Sequence, residues 1–204
     1  MTNGWIILDK PHGLGSTQAV AAVKRNLRQA GLGKAKVGHG GTLDPLASGI
    51  LPIAVGEATK LCGRMLDASK EYAFTIRFGS ETDTLDLEGS VIAESAVRPA
   101  LAALHAILPR FTGAIEQVPP AYSALMIDGQ RAYDRARAGE TVELKARAVT
   151  VHALDLHTQE GEPLEEATLV AHVSKGTYIR SLARDIARAL DTVGHVTMLR
   201  RLRA

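Results

Sequence analysis

Strand-like and helix-like hydrophobic runs follow one another along this chain without the regular strand-helix-strand alternation that a parallel sheet requires. That irregular order narrows the possible folds most. Tyr72-Ala-Phe-Thr-Ile-Arg-Phe78 alternates, so Tyr72, Phe74, Ile76 and Phe78 share one strand face. Trp5-Ile-Ile-Leu8 predicts a buried strand ending at the turn Asp9-Lys-Pro-His-Gly13, and Ile50 to Val55 a short apolar strand. Val149 to Leu156 and Ala167 to Val173 read as paired strands across the acidic turn Glu160-Gly161-Glu162, and Pro119 to Ile127 as an extended run up to an Asp128-Gly129 hairpin turn. Helical spacing starts at Ser16, as cap, and runs to about Ala30; a second helix covers Glu57 to Leu66, with Ala58, Leu61, Cys62 and Met65 inward. Pro99 to Leu108 is a third. Tyr178 to Leu190 is a fourth, with Ile179, Leu182, Ile186 and Leu190 inward and its arginines outside. Gly31 to Asp44 is expected to be a loop. The fold class is therefore α+β, with a mixed, mostly antiparallel sheet flanked by helices.

With 204 residues, 46% hydrophobic and 23% charged, the chain has the makeup of one compact domain, and no repeat or linker marks an internal boundary. Disorder and collagen-like repetition are excluded. Cys62 is the sole cysteine, so an internal disulfide is impossible, and no paired Cys/His spacing suggests a metal site. The N-terminal residues show no signal-peptide pattern, and the longest apolar stretch, around Gly49 to Val55, is far too short to span a bilayer. A cytoplasmic protein without membrane or metal partners is expected. The net charge of +2 hides a bipolar distribution. Lys10 to Leu43 holds six basic residues and no acidic one, Lys175 to Ala204 holds seven basic and two acidic, and Glu81 to Glu94 and Asp155 to Glu166 are acidic. If the two basic segments meet, they form a polyanion-binding face.

No phosphate-binding loop, H-E-x-x-H or G-x-S-x-G pattern occurs, and Gly38-x-Gly40-Gly41 lacks the context of a dinucleotide fingerprint. The chemistry left is a reaction run by side chains without a cofactor, or binding alone. Three segments concentrate unusual residue types: Lys10-Pro11, His39-Gly-Gly-Thr-Leu-Asp44-Pro45-Leu-Ala-Ser-Gly49, and Ser174-Lys-Gly-Thr-Tyr178-Ile-Arg180.

These segments resemble the tRNA pseudouridine synthase B (TruB) family, whose signature is an H-x-G-x-L-D-P-x-A-x-G loop. The likeness runs from Gly4 to Pro11 through Gly56-Glu-Ala-Thr-Lys60, Lys70-Glu-Tyr72, Gly79 to Gly89, Pro119 to Leu125 and Ser174 to Arg180, and on to Leu199-Arg-Arg-Leu202. It implies the pseudouridine synthase fold with a central active-site cleft, no cofactor, tRNA as partner through its T-stem loop, and a monomer. It implies isomerisation of the uridine at tRNA position 55, in the TΨC loop, after that base is flipped out. Asp44 matches the catalytic aspartate, and Arg180 an arginine that pairs with this carboxylate and keeps it ionised. Tyr72 matches the tyrosine that stacks on the uracil and relays the C5 proton. Tyr178 and Leu199 match residues lining the base pocket, His39 the histidine beside the extruded nucleotide, and Lys10 a lysine that supports the active-site loop or contacts RNA. Whether the carboxylate adds to the ribose, adds to the base or first removes a ribose proton stays open. The two basic segments are then expected to be the walls of an RNA groove.

Threonine or serine is common in the family where Gly40 stands, and the glycine is expected to loosen the loop. Family members continue beyond the Leu-Arg-Arg-Leu segment into a small PUA-type RNA-binding domain, whereas this sequence stops at Ala204. A single catalytic domain over residues 1–204, without a PUA domain, is expected. Two other readings are a guide-RNA-dependent synthase of the Cbf5/dyskerin type and a non-catalytic tRNA-binding or refolding protein.

Overall fold

The structure, a computed structural model, describes residues 2–123, 125–127, 129–140, 142, 144–158 and 163–204. In chain order it begins with β1 (Gly4–Lys10), α1 (Ser16–Gln29), β2 (Val37–His39), β3 (Ala47–Val55), α2 (Cys62–Asp67) and β4 (Lys70–Phe78). Next come β5 (Ser80–Thr82), β6 (Val91–Glu94), α3 (Leu101–Ile107), β7 (Gly113–Gln117), β8 (Met126–Ile127) and β9 (Gln130–Arg131). The last are α4 (Ala132–Arg137), β10 (Arg147–Leu156), β11 (Glu166–Val173), α5 (Ile179–Arg188) and β12 (Gly194–Arg203). They fall into two compact units, one running to Ala73 and including Met198–Ala204, the other Phe74–Thr197. β1 and β2 pair antiparallel with β3, and β7 and β11 with β10, while β12 pairs parallel with β3, so the expected α+β class with a mixed, mostly antiparallel sheet is found.

The first unit is organised around β3. This strand pairs antiparallel with β1, from Gly4 opposite Val55 to Lys10 opposite Gly49, and with β2, from Val37 opposite Val55 to His39 opposite Ile53. Its first residues pair parallel with β12, Leu199 opposite Ala47 and Arg201 opposite Gly49. Being paired on both sides, β3 is almost wholly inaccessible. Helix α1 presents Ala19, Val20, Val23 and Leu27 to Leu51, Ile53 and Val55, as its spacing predicts. Each fully buried aliphatic side chain here contributes about 1.5–3 kcal/mol.

Several expectations are corrected. Trp5 to Leu8 is strand but not buried: Ile6 and Ile7 are 38% and 60% exposed, because β1 is the outermost strand of its unit's order β1-β3-β12. Ser16 is the first helical residue rather than the cap, which is Gly15. The segment Gly31 to Asp44 is not all loop, since β2 forms within it. Over Glu57 to Leu66 the backbone starts as a 3-10 turn (Gly56–Leu61) before α2, which leaves Leu61 45% exposed. Gly40 is not a slack point. It is buried, its N–H donates to Pro52 O at 2.8 Å, and a Cβ there would lie 2.7 Å from the Met65 Cβ.

In the second unit the strand order is β12-β4-β11-β10-β7. The alternating face of β4 buries Phe74, Ile76 and Phe78. β10 and β11 pair as expected, although the turn residues Glu160, Gly161 and Glu162 lie outside the described residues. β8 and β9 pair as a hairpin around Gly129, with Asp128 likewise outside them. Helix α5 buries Ile179, Leu182, Ala183, Ile186 and Ala187, one stripe at helical spacing, and comes so close to β12 that a Cβ on Gly194 would lie 2.9 Å from that of Ala187. Its arginines are not all outside: Arg180 is 8% exposed.

Gly49 has φ +101, and a Cβ on it would stand 2.2 Å from the Arg201 carbonyl oxygen. Gly49→Ala is expected to destabilise by more than about 3 kcal/mol in urea unfolding. Gly63→Ala, in α2 with open space around it, is expected to be neutral or stabilising by about 0.5 kcal/mol. Gly40→Ser is expected to destabilise by about 1–3 kcal/mol, against the gain that a merely loose glycine would give.

Candidate active site

Asp44 lies on the bend between β2 and β3, and every backbone carbonyl from Gly41 to Pro45 is satisfied. Gly41 O and Thr42 O accept from Arg201 Nη2 and Nη1 at 3.1 and 3.2 Å. Leu43 O accepts from the Ser16 hydroxyl, which also receives the Leu43 N–H, both at 2.9 Å. Asp44 O accepts the Ala47 N–H at 3.0 Å, and Pro45 O accepts the Gly13 N–H at 2.8 Å and Lys10 Nζ at 3.3 Å. A bend without regular secondary structure has thus been given fixed peptide planes, which is what aiming a short carboxylate side chain requires.

Lys10 and Arg201 supply the cations of this arrangement, and both are buried, at 0% and 1% exposure. Lys10 Nζ donates to Leu14 O at 2.6 Å and Pro11 O at 3.2 Å as well as to Pro45 O. Burial, chiefly, holds its pKa below the usual lysine value; the Asp44 carboxylate pulls it back up, and the Arg201 charge pushes it further down. Of the two roles expected for Lys10, loop support fits this geometry. Arg201 Nε completes its set on Ile50 O at 2.7 Å. His39 is half-buried at the end of β2; burial first and Arg201 second hold its pKa below the ordinary imidazole value, and its Nδ1 accepts the Gly41 N–H at 3.4 Å. Tyr72 and Leu199 both pack against the core cluster that contains Leu43 and Ala47. Lys10, His39, Asp44, Tyr72 and Leu199 are therefore all in the first unit.

Arg180 and Tyr178 are in the second unit. Arg180 donates to Thr84 O at 2.7 Å and Tyr122 O at 3.1 Å, and pairs with Asp86 Oδ2 at 3.4 Å. Asp86 is itself braced by the Thr84 hydroxyl at 2.6 Å and the Glu88 N–H at 3.0 Å. Leu85 between them adopts φ 63, a left-handed conformation in a bulky residue that the surrounding bonds must enforce. The Tyr122 hydroxyl donates to Asp83 at 3.1 Å, which raises its pKa. Tyr178 precedes α5, its N–H donating to Gln117 Oε1 at 2.8 Å.

Sequence reasoning missed Ser16, Asp86 and Arg201 as parts of the site. Arg201 lies in the Leu-Arg-Arg-Leu segment singled out above, but nothing local distinguishes it from Arg200, which makes a bidentate pair with Asp9 at 2.8 and 3.0 Å. The charge count also overstated the surface, since Lys10, Arg180 and Arg201 are buried on carbonyl groups while Arg25, Arg28, Lys34, Lys36, Lys175, Arg188 and Arg203 face outward. Among the described residues no group of three or more His, Cys, Asp or Glu could hold a metal ion, and no helix is long and apolar enough to cross a membrane.

The family model for the TruB family pseudouridylate synthase, N-terminal domain, matches residues 28–179. The chain is 75% identical over 206 residues to tRNA pseudouridine synthase B of Novosphingobium aromaticivorans, covering 100% of this chain and 68% of that protein. It is 61% identical over 202 residues to the protein of the same name in Zymomonas mobilis (99% and 66% covered), and 54% identical over 201 residues to that of Bradyrhizobium diazoefficiens (98% and 56%). It thus spans about two thirds of the first two relatives and just over half of the third. Among solved structures, Cbf5 in a Cbf5-Nop10-Gar1 complex superposes with a TM-score of 0.73 at 31% identity, over 98% of this chain and 48% of that one. A Nop10-Cbf5 complex of the archaeal box H/ACA particle gives 0.70 at 29%, over 98% and 47%. With a family model matched across most of its length and relatives this similar, the chain belongs to the TruB family of pseudouridylate synthases.

Proposed function

We propose that both units form one catalytic domain of a cytoplasmic, monomeric tRNA pseudouridine synthase that isomerises the uridine at position 55 in the T-stem loop. The observation that carries this reading is Asp44: a carboxylate at the family's catalytic position, on a bend whose five successive carbonyls are all held. The bond from ribose C1′ to N1 of uracil breaks, the base turns, and C1′ bonds to C5. The C5 hydrogen leaves to solvent and N1 takes up a proton, so composition and oxidation state are unchanged and side chains can run the step without a cofactor. In this reading Asp44 acts on the target nucleoside and Tyr72 stacks on the uracil and relays the C5 proton. Leu199 and Tyr178 line the base. Arg180 is the counter-charge of Asp44, a pairing proposed on residue identity. His39, whose pKa burial and Arg201 hold below the ordinary imidazole value, flanks the extruded nucleotide. Flipping costs a few kcal/mol, which stacking and phosphate contacts from the outward-facing basic residues offset.

The likeness to Cbf5 supports a guide-dependent synthase as the second reading. Both are tested by tritium release from uracil C5 in an unmodified tRNA transcript, with the product mapped. Release without guide RNA, at the TΨC loop, is expected; release only with a guide would establish the second reading instead. Asp44→Asn is expected to abolish release while tRNA affinity stays within a few fold. Equal performance of variant and parent would mean a tRNA-binding protein rather than an enzyme.

A pH dependence of stability follows from His39. Its lowered folded-state pKa means that the unfolded chain binds the proton more readily, so its contribution is intact above the unfolded value of 6.5 and is lost as pH falls below it toward the lower folded value. In urea unfolding across a pH series, His39→Gln is expected to flatten this acid limb.

A further inference from the structure

We infer that Arg201 is a positioning residue for the isomerisation, acting on Asp44 by fixing the backbone that precedes it; the inference rests on the isomerase reading above. The peptide joining Thr42 to Leu43 is held at both edges, its carbonyl by Arg201 Nη1 at 3.2 Å and its N–H by Ser16 Oγ at 2.9 Å. A planar unit pinned on opposite sides cannot rotate about its flanking bonds without breaking one contact. The next carbonyl, Leu43 O, is held by the same serine at 2.9 Å. Both peptide planes leading into Asp44 are therefore held, the first by Arg201 and Ser16 together and the second by Ser16.

Only a planar fork fits this duty. Nη1 and Nη2 reach the adjacent carbonyls of Thr42 and Gly41, while Nε points to Ile50 O on β3, so one side chain ties the bend to the strand that follows it. A lysine offers a point charge on a flexible stem and cannot address three carbonyls in these directions. The guanidinium packs directly on Gly41: a Cβ there would meet Nη1 at an ordinary contact distance of 3.5 Å, and it is the backbone conformation, φ +143, that favours glycine. Arg201 is 1% exposed and hydrogen-bonds β3 and the bend from a position opposite Gly49, which places its action on the backbone rather than on RNA phosphates.

The test compares the parent chain with Arg201→Lys and Arg201→Met. It measures steady-state tritium release, amide hydrogen exchange at Leu43 and in β3, and His39 titration by NMR. Arg201→Lys is expected to fold and to keep KM within a few fold while kcat falls about 100-fold. Its Leu43 amide should exchange faster while the β3 amides stay protected. His39 should titrate nearly as in the parent when lysine retains the charge, and at higher pH in Arg201→Met, separating the effect of charge from that of the fork. A lysine variant with parental kcat and parental Leu43 protection would overturn the inference, as would equal loosening of Leu43 and β3, which marks a purely structural role. If Arg201→Met does not fold, the lysine variant decides alone. Should the parent itself release no tritium, the isomerase reading fails separately, and unchanged Leu43 protection in the lysine variant would still refute the bend-fixing role.

Discussion

Two buried cations bonded to backbone carbonyls are the constraint on which the rest of the first unit depends. Lys10 and Arg201 are taken out of water, a large cost that is recovered only if each hydrogen finds an acceptor in good geometry. The acceptors are the carbonyls of the β1–α1 turn and of the bend that carries Asp44, backbone groups that would otherwise need water. The requirement is mutual: the bend needs the cations to be dry, and the cations need the bend to be folded. A charge-assisted hydrogen bond is worth about 1.5–3 kcal/mol, so breaking one leaves both sides unsatisfied in an environment that penalises each.

The same economy appears in the second unit. Arg180 uses two of its donors on the carbonyls of Thr84 and Tyr122 and faces Asp86, and these neighbours help to orient it. The left-handed Leu85 is the local cost of presenting Thr84 O and Asp86 to one guanidinium. Helix α5 turns its apolar stripe to the core and still buries Arg180, because a guanidinium with carbonyl acceptors can sit where a solvated one cannot.

What could be read from the sequence was whatever repeats locally. The period of β4, the stripes of α1 and α5 and the pairing of β10 with β11 are written in spacing, and the Asp44 loop in an unusual string of residue types. What could not be read was set by partners far along the chain. Whether β1 is buried depends on what lies beside it. Ser16 looks like a helix cap until its hydroxyl is seen to serve Leu43, and Gly40 looks like slack until Met65 is placed above it. Arg201 is hardest of all, since its partners are carbonyls, which every residue has, 151 to 160 positions away.

That separation bears on how the protein is made. Asp44 leaves the ribosome early, but the donor for Gly41 O is translated 160 residues later, on the strand that also closes against Gly49. Contacts from Lys10, Gly13, Ser16 and Ala47 are available to a nascent chain, whereas the carbonyls of Gly41 and Thr42 gain their donor only once β12 has been made and docked.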